Sequence, residues 1–205
     1  MLDNELKSYL LPNLFNAAVR AGAAIMQVYK NKEDYDISIK SDKTPITVAD
    51  RRAHETIKTY LGPTRIPILS EEGREMRYEE RCNWELFWLV DPLDGTVEFI
   101  KGNNEFTVNI ALVENGVPVL GVIYVPVRKE LYFAADSIGA YKYTGIDIDN
   151  QPSMEEMKKG ATKLPISLAH QGVVVVASRS HQSEATTEYI SNLRKQGRPV
   201  TQISS

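Results

Sequence analysis

Cysteine is almost absent from the chain, because Cys82 is the only one in 205 residues. A single thiol excludes the internal disulfide framework of many small secreted proteins and fits a reducing cytosol. An excess of positive charge is also absent, since 24 Lys and Arg residues stand against 27 Asp and Glu residues. This balance of charges lacks the excess of basic residues that is typical of proteins that bind the nucleic-acid backbone.

Long apolar runs are missing as well. No run approaches the roughly 18 residues that cross a bilayer, and Asp3 and Glu5 do not fit the start of a signal peptide. What is there is an ordinary globular composition, with 42% hydrophobic and 25% charged residues. A chain of 205 residues with this composition can bury a substantial core.

The most informative stretch is an apolar, aromatic run from Trp84 that predicts a buried strand. It ends in Asp91, Pro92, Leu93, Asp94, Gly95 and Thr96. Proline fixes φ and has no N–H, so we expect the strand to stop and turn there, with Asp91 and Asp94 close together. Two such carboxylates repel each other, so either one is protonated or a cation lies between them. A hard divalent cation with oxygen ligands is the natural occupant, and the Leu93 carbonyl is a further ligand candidate.

The next two residues of this stretch suit an anion. Gly95 allows close approach of the backbone, and the amides of Gly95 and Thr96 would face a phosphate if Thr96 opens a short helix over 97–100. A plain tight turn is the alternative, because Asp-Pro and Asp-Gly are common turn formers. Glu71 and Glu72, which also follow an apolar run, favour the metal site, since two neighbouring strands would then end in carboxylates.

The rest of the pattern predicts an α/β protein. The predicted elements are a helix over 2–30, a strand and exposed loop over 34–46, a helix over 47–61, strands over 105–114, 117–125, 131–135 and 140–143, a doubly buried strand over 172–177, a helix over 183–196 and a strand from 199. Asn115-Gly116 predicts a hairpin. We interpret 145–164 as a surface excursion or linker. We therefore expect an N-terminal α+β metal-binding part over 1–160 and the start of a C-terminal α/β part over 161–205. We expect this second part to be incomplete, because a strand begins only a few residues before Ser205.

Asp50 has two interpretations. With Thr47 it fits a helix cap that compensates the helix dipole. The alternative is that it points into the acidic cluster as a further metal-linked or water-activating carboxylate. His54, in the same helix, is predicted to be a surface or packing residue, because no partner His lies nearby.

With these residues in view, a family resemblance can be stated. Glu71-Glu72, the segment from Asp91 to Thr96 and the Asp50 element resemble the signature of the inositol-monophosphatase-like superfamily of Mg²⁺-dependent, lithium-sensitive phosphatases. Within it, the run from Asp91 to Leu112 and the Ser178–His181 segment are similar to the CysQ-type 3'(2'),5'-bisphosphate nucleotidases. The resemblance covers essentially the whole chain and implies a layered α+β sandwich of the sugar-phosphatase type.

The resemblance also implies an activity. The expected enzyme is a phosphoric monoester hydrolase that converts adenosine 3',5'-bisphosphate (PAP) to AMP and phosphate in sulfur metabolism. Its expected location is the cytoplasm, with or without peripheral association with the inner membrane, and its oligomeric state is open.

The implied site residues follow from matching motif positions. Two or three Mg²⁺ ions would be held by Glu71, Asp91, the Leu93 carbonyl and Asp94. The catalytic residues would be Thr96, which positions the attacking water, and Asp50, which orients Thr96. The implied substrate-binding residues are Glu71, Leu93, Asp94, Gly95, Thr96, Ser178 and His181, and Ser205 is a further candidate.

The sequence departs from the family in two places. The family's second Trp-Asp motif does not occur, since the last Trp is Trp88, and the lysine expected after the final serines is absent. We therefore expect the chain to be part of a longer protein, and a truncated form that binds metal weakly is the alternative.

Three other functions stay open. A haloacid-dehalogenase-type phosphatase needs acids at i and i+2, whereas Asp91 and Asp94 are at i and i+3. An inositol monophosphatase or related sugar phosphatase would differ only in substrate. A catalytically impaired nucleotide- or metal-binding module would bind without turnover.

Overall fold

A computed structural model gives the structure of the chain and describes residues 4–31, 33, 35–40, 45–136, 138–150, 152–166, 172–178, 182–197 and 199–204. The chain divides into two compact units, Met1–Pro165 and Ile166–Ser205. The helices of the first unit are α1 (Asn4–Tyr29), α2 (Val48–Leu61), α3 (Tyr78–Arg81), α4 (Thr96–Lys101) and α5 (Met154–Gly160). Its strands are β1 (Ser38–Ile39), β2 (Pro45–Ile46), β3 (Ile68–Ser70), β4 (Leu86–Asp94), β5 (Thr107–Glu114), β6 (Val117–Val125), β7 (Glu130–Ala135), β8 (Gly139–Thr144) and β9 (Thr162–Lys163).

Helices α1 and α2 pack against each other and against one face of the main sheet. Helix α1 forms because its apolar residues recur at steps of three and four, and it continues through Pro12, whose carbonyl accepts a bond from Asn16 Nδ2 at 2.9 Å. Helix α2 begins at the predicted cap Thr47, and a 3-10 turn over Gly62–Thr64 follows it. Both predicted helices are confirmed.

The main sheet has seven strands in the order β3-β4-β5-β6-β7-β8-β9, with β3 parallel to β4 and the other pairs antiparallel. Alternation along β5 buries Val108, Ile110 and Leu112 beneath the helices and turns Asn109 to the other face. The hairpin between β5 and β6 is confirmed. Asn115 and Gly116 both have positive φ, at 50° and 79°, which is the type I′ geometry.

The face of the sheet opposite the two helices is open within the first unit. Leu89 and Ile123 on this face are 47% and 46% exposed. They line an apolar cavity of about 940 Å³ whose acidic end carries Glu71 and Asp91. The sheet therefore presents the candidate site beside an apolar surface.

The segment 145–164 is not the linker that its polar composition suggests. It contains α5 and β9, its residues Ile146 and Met157 are each 2% exposed in the core, and β9 pairs with β8. A few apolar residues spaced by polar ones suffice to hold this segment to the first unit, which explains why composition alone misled.

The second unit comprises β10 (Val173–Ala177), α6 (Glu184–Lys195) and β11 (Val200–Ser204), with β10 parallel to β11. This confirms the predicted strand, helix and strand. The expected burial of β10 on both faces is wrong, because Val176 is 63% exposed. Helix α6 packs against β11, and one helix can cover only one face of such a pair.

Candidate active site

The two acids Asp91 and Asp94 lie within the last four residues of β4, on either side of an irregularity in its pairing with β5. Asp91 pairs with Asn109 and Asp94 with Thr107, so β4 continues through Pro92 with a shift of register between the two acids. The prediction that the strand stops at Pro92 is therefore wrong. A bulge accommodates the missing N–H of proline and re-aims the side chains, which is the common use of bulges near sites.

Glu71 reaches the same region from the neighbouring strand. Ser70 and Val90 are in register on the parallel strands β3 and β4, and the Glu71 amide donates to the Val90 carbonyl at 3.1 Å. The next residue of each strand is therefore acidic, Glu71 on one and Asp91 on the other. Residues in register on parallel strands lie side by side, so the two carboxylates come together.

Asp91 is the most perturbed acid of this group. Burial, followed by the negative charges of Glu71 and Asp94, raises the pKa of Asp91 to about 7. Its Oδ1 atom is buried and accepts no hydrogen bond. A buried carboxylate oxygen without a partner is costly unless it gains a proton or a cation.

Asp94 is held by a side-chain relay that sequence reasoning missed. Asn109 Nδ2 donates to Asp94 Oδ2 at 2.9 Å, and the Thr107 hydroxyl donates to Asn109 Oδ1 at 3.0 Å. The two strand positions are two residues apart and share a face. The polar residues at 107 and 109 in an otherwise apolar strand were the available signal.

Asp50 and Thr96 form a hydrogen-bonded pair. The Thr96 hydroxyl lies 3.0 Å from Asp50 Oδ1 and 3.2 Å from the Leu93 carbonyl. Asp50 Oδ2 accepts from the amide and the hydroxyl of Thr47, at 2.7 Å and 2.6 Å. The carboxylate is thus a partner in the predicted helix cap and lies within hydrogen-bond distance of the Thr96 hydroxyl.

Burial raises the pKa of Asp50 above its usual range, although the hydrogen bonds from Thr47 and Thr96 favour the charged form. A carboxylate with a raised pKa is a stronger base than a solvated one. The pair can therefore accept a proton that arrives through the Thr96 hydroxyl.

Gly95 is required by the backbone between the acids and α4. Its φ is +96°, and a Cβ there would lie 2.7 Å from the Glu105 carbonyl oxygen. Any other residue would be strained and crowded. Thr96 opens α4 directly after it, which confirms the predicted short helix.

Lys40 enters the acidic cluster from the end of β1. Its Nζ lies 2.9 Å from Glu71 Oε1 and 2.5 Å from Glu72 Oε1. Burial lowers the pKa of Lys40, but the hydrogen bonds and charges of Glu72 and Glu71 outweigh burial and raise it. Burial also raises the pKa of Glu72, against the effect of Lys40. Sequence reasoning missed this lysine, because it lies 31 residues before Glu71 in a polar segment.

His54 is buried and bonded to a serine at the edge of the cluster. Its Nδ1 lies 2.8 Å from Ser70 Oγ, and burial lowers its pKa. This arrangement agrees with the predicted packing role. Of the expected nucleotide contacts, Ser178 lies at the end of β10, whereas His181 and Ser205 lie outside the described residues.

The residues present fit a hard divalent cation. Carboxylate and carbonyl oxygens are the ligands that Mg²⁺ prefers. The Oδ1 atom of Asp91 is buried and accepts no hydrogen bond, so it is available as a metal ligand. Within the described ranges, however, no three Asp, Glu, His or Cys side chains are gathered into a ready-made metal group. Instead, Glu71 Oε1 accepts a hydrogen bond from Lys40, and Asp94 Oδ2 accepts one from Asn109.

The chain matches the model of the inositol monophosphatase family over residues 7–204. A CysQ 3'(2'),5'-bisphosphate nucleotidase from Salmonella typhimurium is 41% identical over 186 residues, which are 90% of this chain and 69% of that relative. The chain belongs to the inositol monophosphatase family.

Solved structures agree with this assignment. The crystal structure of CysQ from Bacteroides thetaiotaomicron, a bacterial member of the family, matches with a TM-score of 0.83 and 48% identity, over 94% of this chain and 71% of that one. The suhB protein of Bartonella henselae matches with a TM-score of 0.71 and 25% identity, over 96% of this chain and 71% of that one. The mixed α/β fold is thus that of the family, and the chain is a CysQ-like phosphatase within it. None of the helices among the described residues is long and apolar enough to cross a membrane.

Proposed function

We propose that the chain is a Mg²⁺-dependent 3'(2'),5'-bisphosphate nucleotidase, which hydrolyses the 3'-phosphate of adenosine 3',5'-bisphosphate to give AMP and phosphate. The observation that carries the proposal is the Thr96 hydroxyl, hydrogen-bonded to the buried Asp50 beside the acidic turn. The similarity to CysQ nucleotidases supports the choice of substrate.

Glu71, Asp91, the Leu93 carbonyl and Asp94 are the residues that would hold the metal. When bound, Mg²⁺ neutralises these acids and stabilises the attacking and leaving oxygens of an in-line displacement. The turn that brings the acids together also places the Leu93 carbonyl near Thr96, since the Thr96 hydroxyl lies 3.2 Å from it. Apart from Glu71, the proposed metal ligands and Thr96 thus share one backbone segment.

Thr96 and Asp50 would handle the proton of the attacking water. When the Thr96 hydroxyl donates to Asp50, the lone pairs of Thr96 Oγ1 are available to accept a hydrogen bond from water. A proton leaving the water at Thr96 Oγ1 is matched by the Thr96 proton moving to Asp50 Oδ1. The raised pKa of Asp50 favours this transfer.

The amides of Gly95 and Thr96 would bind the scissile phosphate, and Ser178 and His181 would contact the nucleotide. His181→Ala should weaken binding of the nucleotide more than it slows hydrolysis of a small phosphate ester, because the ester lacks the nucleoside. Michaelis constants for the two substrates measure this, and equal losses on both count against a recognition role.

The test of the proposal is phosphate release from adenosine 3',5'-bisphosphate and from myo-inositol 1-phosphate, measured side by side with Mg²⁺. The nucleotide should be the better substrate, and Asp94→Asn should abolish release while the fold persists. Asp149→Asn, at an exposed acid outside the site, is the matched control and should retain full activity.

Two outcomes would overturn the proposal in different ways. A preference for the inositol phosphate would assign the chain to the inositol-directed branch of the family. Tight, metal-dependent nucleotide binding without phosphate release would instead identify a binding module that lacks catalysis.

A further inference from the structure

Lys40 places a positive charge where the proposed function needs a metal. Its Nζ contacts Glu71 and Glu72 together, and the lysine side chain is only 19% exposed. A lysine that makes two ion pairs while largely buried is held in a defined position, in contrast to the exposed Lys58, whose side chain is 49% exposed.

The Lys40 ammonium and a metal ion compete for one oxygen of Glu71. Nζ lies 2.9 Å from Glu71 Oε1. Mg²⁺ binds carboxylate oxygen at about 2.1 Å, so both cations on this one atom would be within a few ångströms of each other. At that separation two positive charges repel strongly in a partly buried site. Binding of a metal to Glu71 Oε1 therefore requires the lysine to move.

The two acids hold Lys40 unequally. The Glu72 side chain is 6% exposed and the Glu71 side chain 51% exposed, and the shorter contact, at 2.5 Å, is to Glu72. An ion pair in the more buried position is screened less by solvent. Lys40 can therefore leave Glu71 and remain bound to Glu72.

The position of Lys40 in the fold keeps it near the site after such a move. Lys40 directly follows β1, whose residues Ser38 and Ile39 pair with β2, and β2 leads within one residue to the Thr47 cap of α2. A tethered group has a high effective concentration at its binding site. The lysine therefore competes continuously with metal from solution.

We propose that Lys40 is an internal counter-ion that occupies Oε1 of Glu71 in the metal-free protein, so that metal binds this oxygen only by displacing the lysine. Lys40 thereby sets the metal concentration at which the site fills. This inference rests on the proposed function, because it takes Glu71 as a metal ligand.

The experiment measures Mn²⁺ and Mg²⁺ binding by calorimetry in the absence of substrate, in wild type, Lys40→Gln, Lys40→Arg and Lys58→Met. Lys40→Gln keeps a hydrogen-bond donor for the buried Glu72 but removes the charge. It should bind metal roughly two- to fivefold more tightly, the range that corresponds to loss of one partly exposed ion pair. Lys40→Arg keeps the charge and Lys58→Met removes a lysine elsewhere, so both should bind like wild type.

A second measurement needs no variant. In wild type, acetylation of Lys40 followed by mass spectrometry should become faster when Mg²⁺ is added, because Nζ then keeps one ion pair instead of two. Acetylation of Lys58 in the same sample should not change.

The outcomes separate this inference from the proposed function. If wild type binds metal but Lys40→Gln binds no more tightly, or Lys40 acetylation is unchanged by Mg²⁺, the counter-ion role is overturned while the metal site stands. If no variant binds metal, both proposals fail.

Discussion

Two carboxylates of the first unit, Asp50 and Asp91, differ in the hydrogen bonds that the fold gives them. Asp50 is 1% exposed, and both of its oxygens accept hydrogen bonds, from Thr47 and Thr96. Asp91 is half-buried, and its Oδ1 is buried with no hydrogen bond. Burial raises the pKa of both acids, but only for Asp91 do neighbouring acids raise it further.

We interpret the difference as separating an acid that the fold completes from an acid that it leaves for a ligand. The helix cap supplies Asp50 with donors, so its charge is stabilised by the protein itself. The bulge in β4 places Asp91 between Glu71 and Asp94 and gives its inner oxygen no donor. We interpret Asp50 as a positioning and proton-accepting group, and Asp91 as a metal ligand.

Thr96 gives the largest expected effect, because it links Asp50 to the reaction. Thr96→Ala should lower kcat by about 10²- to 10³-fold, the range typical of lost proton-transfer catalysis, whereas Thr96→Ser should retain most activity. Thr59→Ala, at an exposed threonine of α2, is the control. Steady-state kinetics with saturating Mg²⁺ measure this, and a loss below threefold for Thr96→Ala would rule out the proton route.

Replacing each of the two acids by asparagine tests the difference between them directly. Asp50→Asn should lower the free energy of unfolding by about 1–3 kcal/mol, because the new amide donor faces the donors of Thr47. Asp91→Asn should raise it in metal-free protein, because a repelling, unpartnered charge is removed. Urea unfolding in EDTA at pH 8 measures both, and changes of the same sign would contradict the distinction.

The pH dependence sharpens this contrast. The pKa of Asp91 is raised in the folded state from 3.8 to about 7, so folded protein binds a proton more tightly than unfolded protein between these values. The resulting stabilisation is fully present below about pH 4 and is lost as pH rises through about 7. In metal-free protein, the stability advantage of Asp91→Asn over wild type should therefore grow from pH 5 to pH 8. Thermal unfolding at both pH values tests this, and a constant difference would contradict the raised pKa.

Asn109 gives the smallest expected effect. Asn109→Ala should reduce kcat/KM by roughly three- to tenfold by releasing Asp94, with a stability change within about 0.5 kcal/mol because the Asp94 side is exposed. Thr107→Val, which removes only the next bond in the relay, should have a smaller effect in the same assay. Equal, full activity in both variants would show that the relay does not position Asp94.

Much of this arrangement could be predicted from the sequence. The α2 cap, the short helix α4 and the meeting of Glu71 with Asp91 followed from local rules on caps, turns and parallel strand ends. These rules depend on residues that are close in sequence or on adjacent strands of known direction.

The parts that could not be predicted depend on long-range register. The bulge that carries β4 through Pro92, the pairing of Asp91 with Asn109 and the approach of Lys40 to Glu71 are set by tertiary packing. A lysine in a polar segment gives no local sign of a partner 31 residues away. The role of 145–164 was misread for the same reason, since its core residues Ile146 and Met157 lie near helix α1, far away in the sequence.

The central claim is that the fold leaves Asp91 Oδ1 without a hydrogen bond because a divalent cation completes it. The most direct measurement is the melting temperature of EDTA-treated wild type and Asp91→Asn as Mg²⁺ is added, without substrate. The account predicts that Mg²⁺ raises the melting temperature of wild type and leaves that of Asp91→Asn unchanged. Equal shifts in the two proteins, or none in wild type, would contradict it.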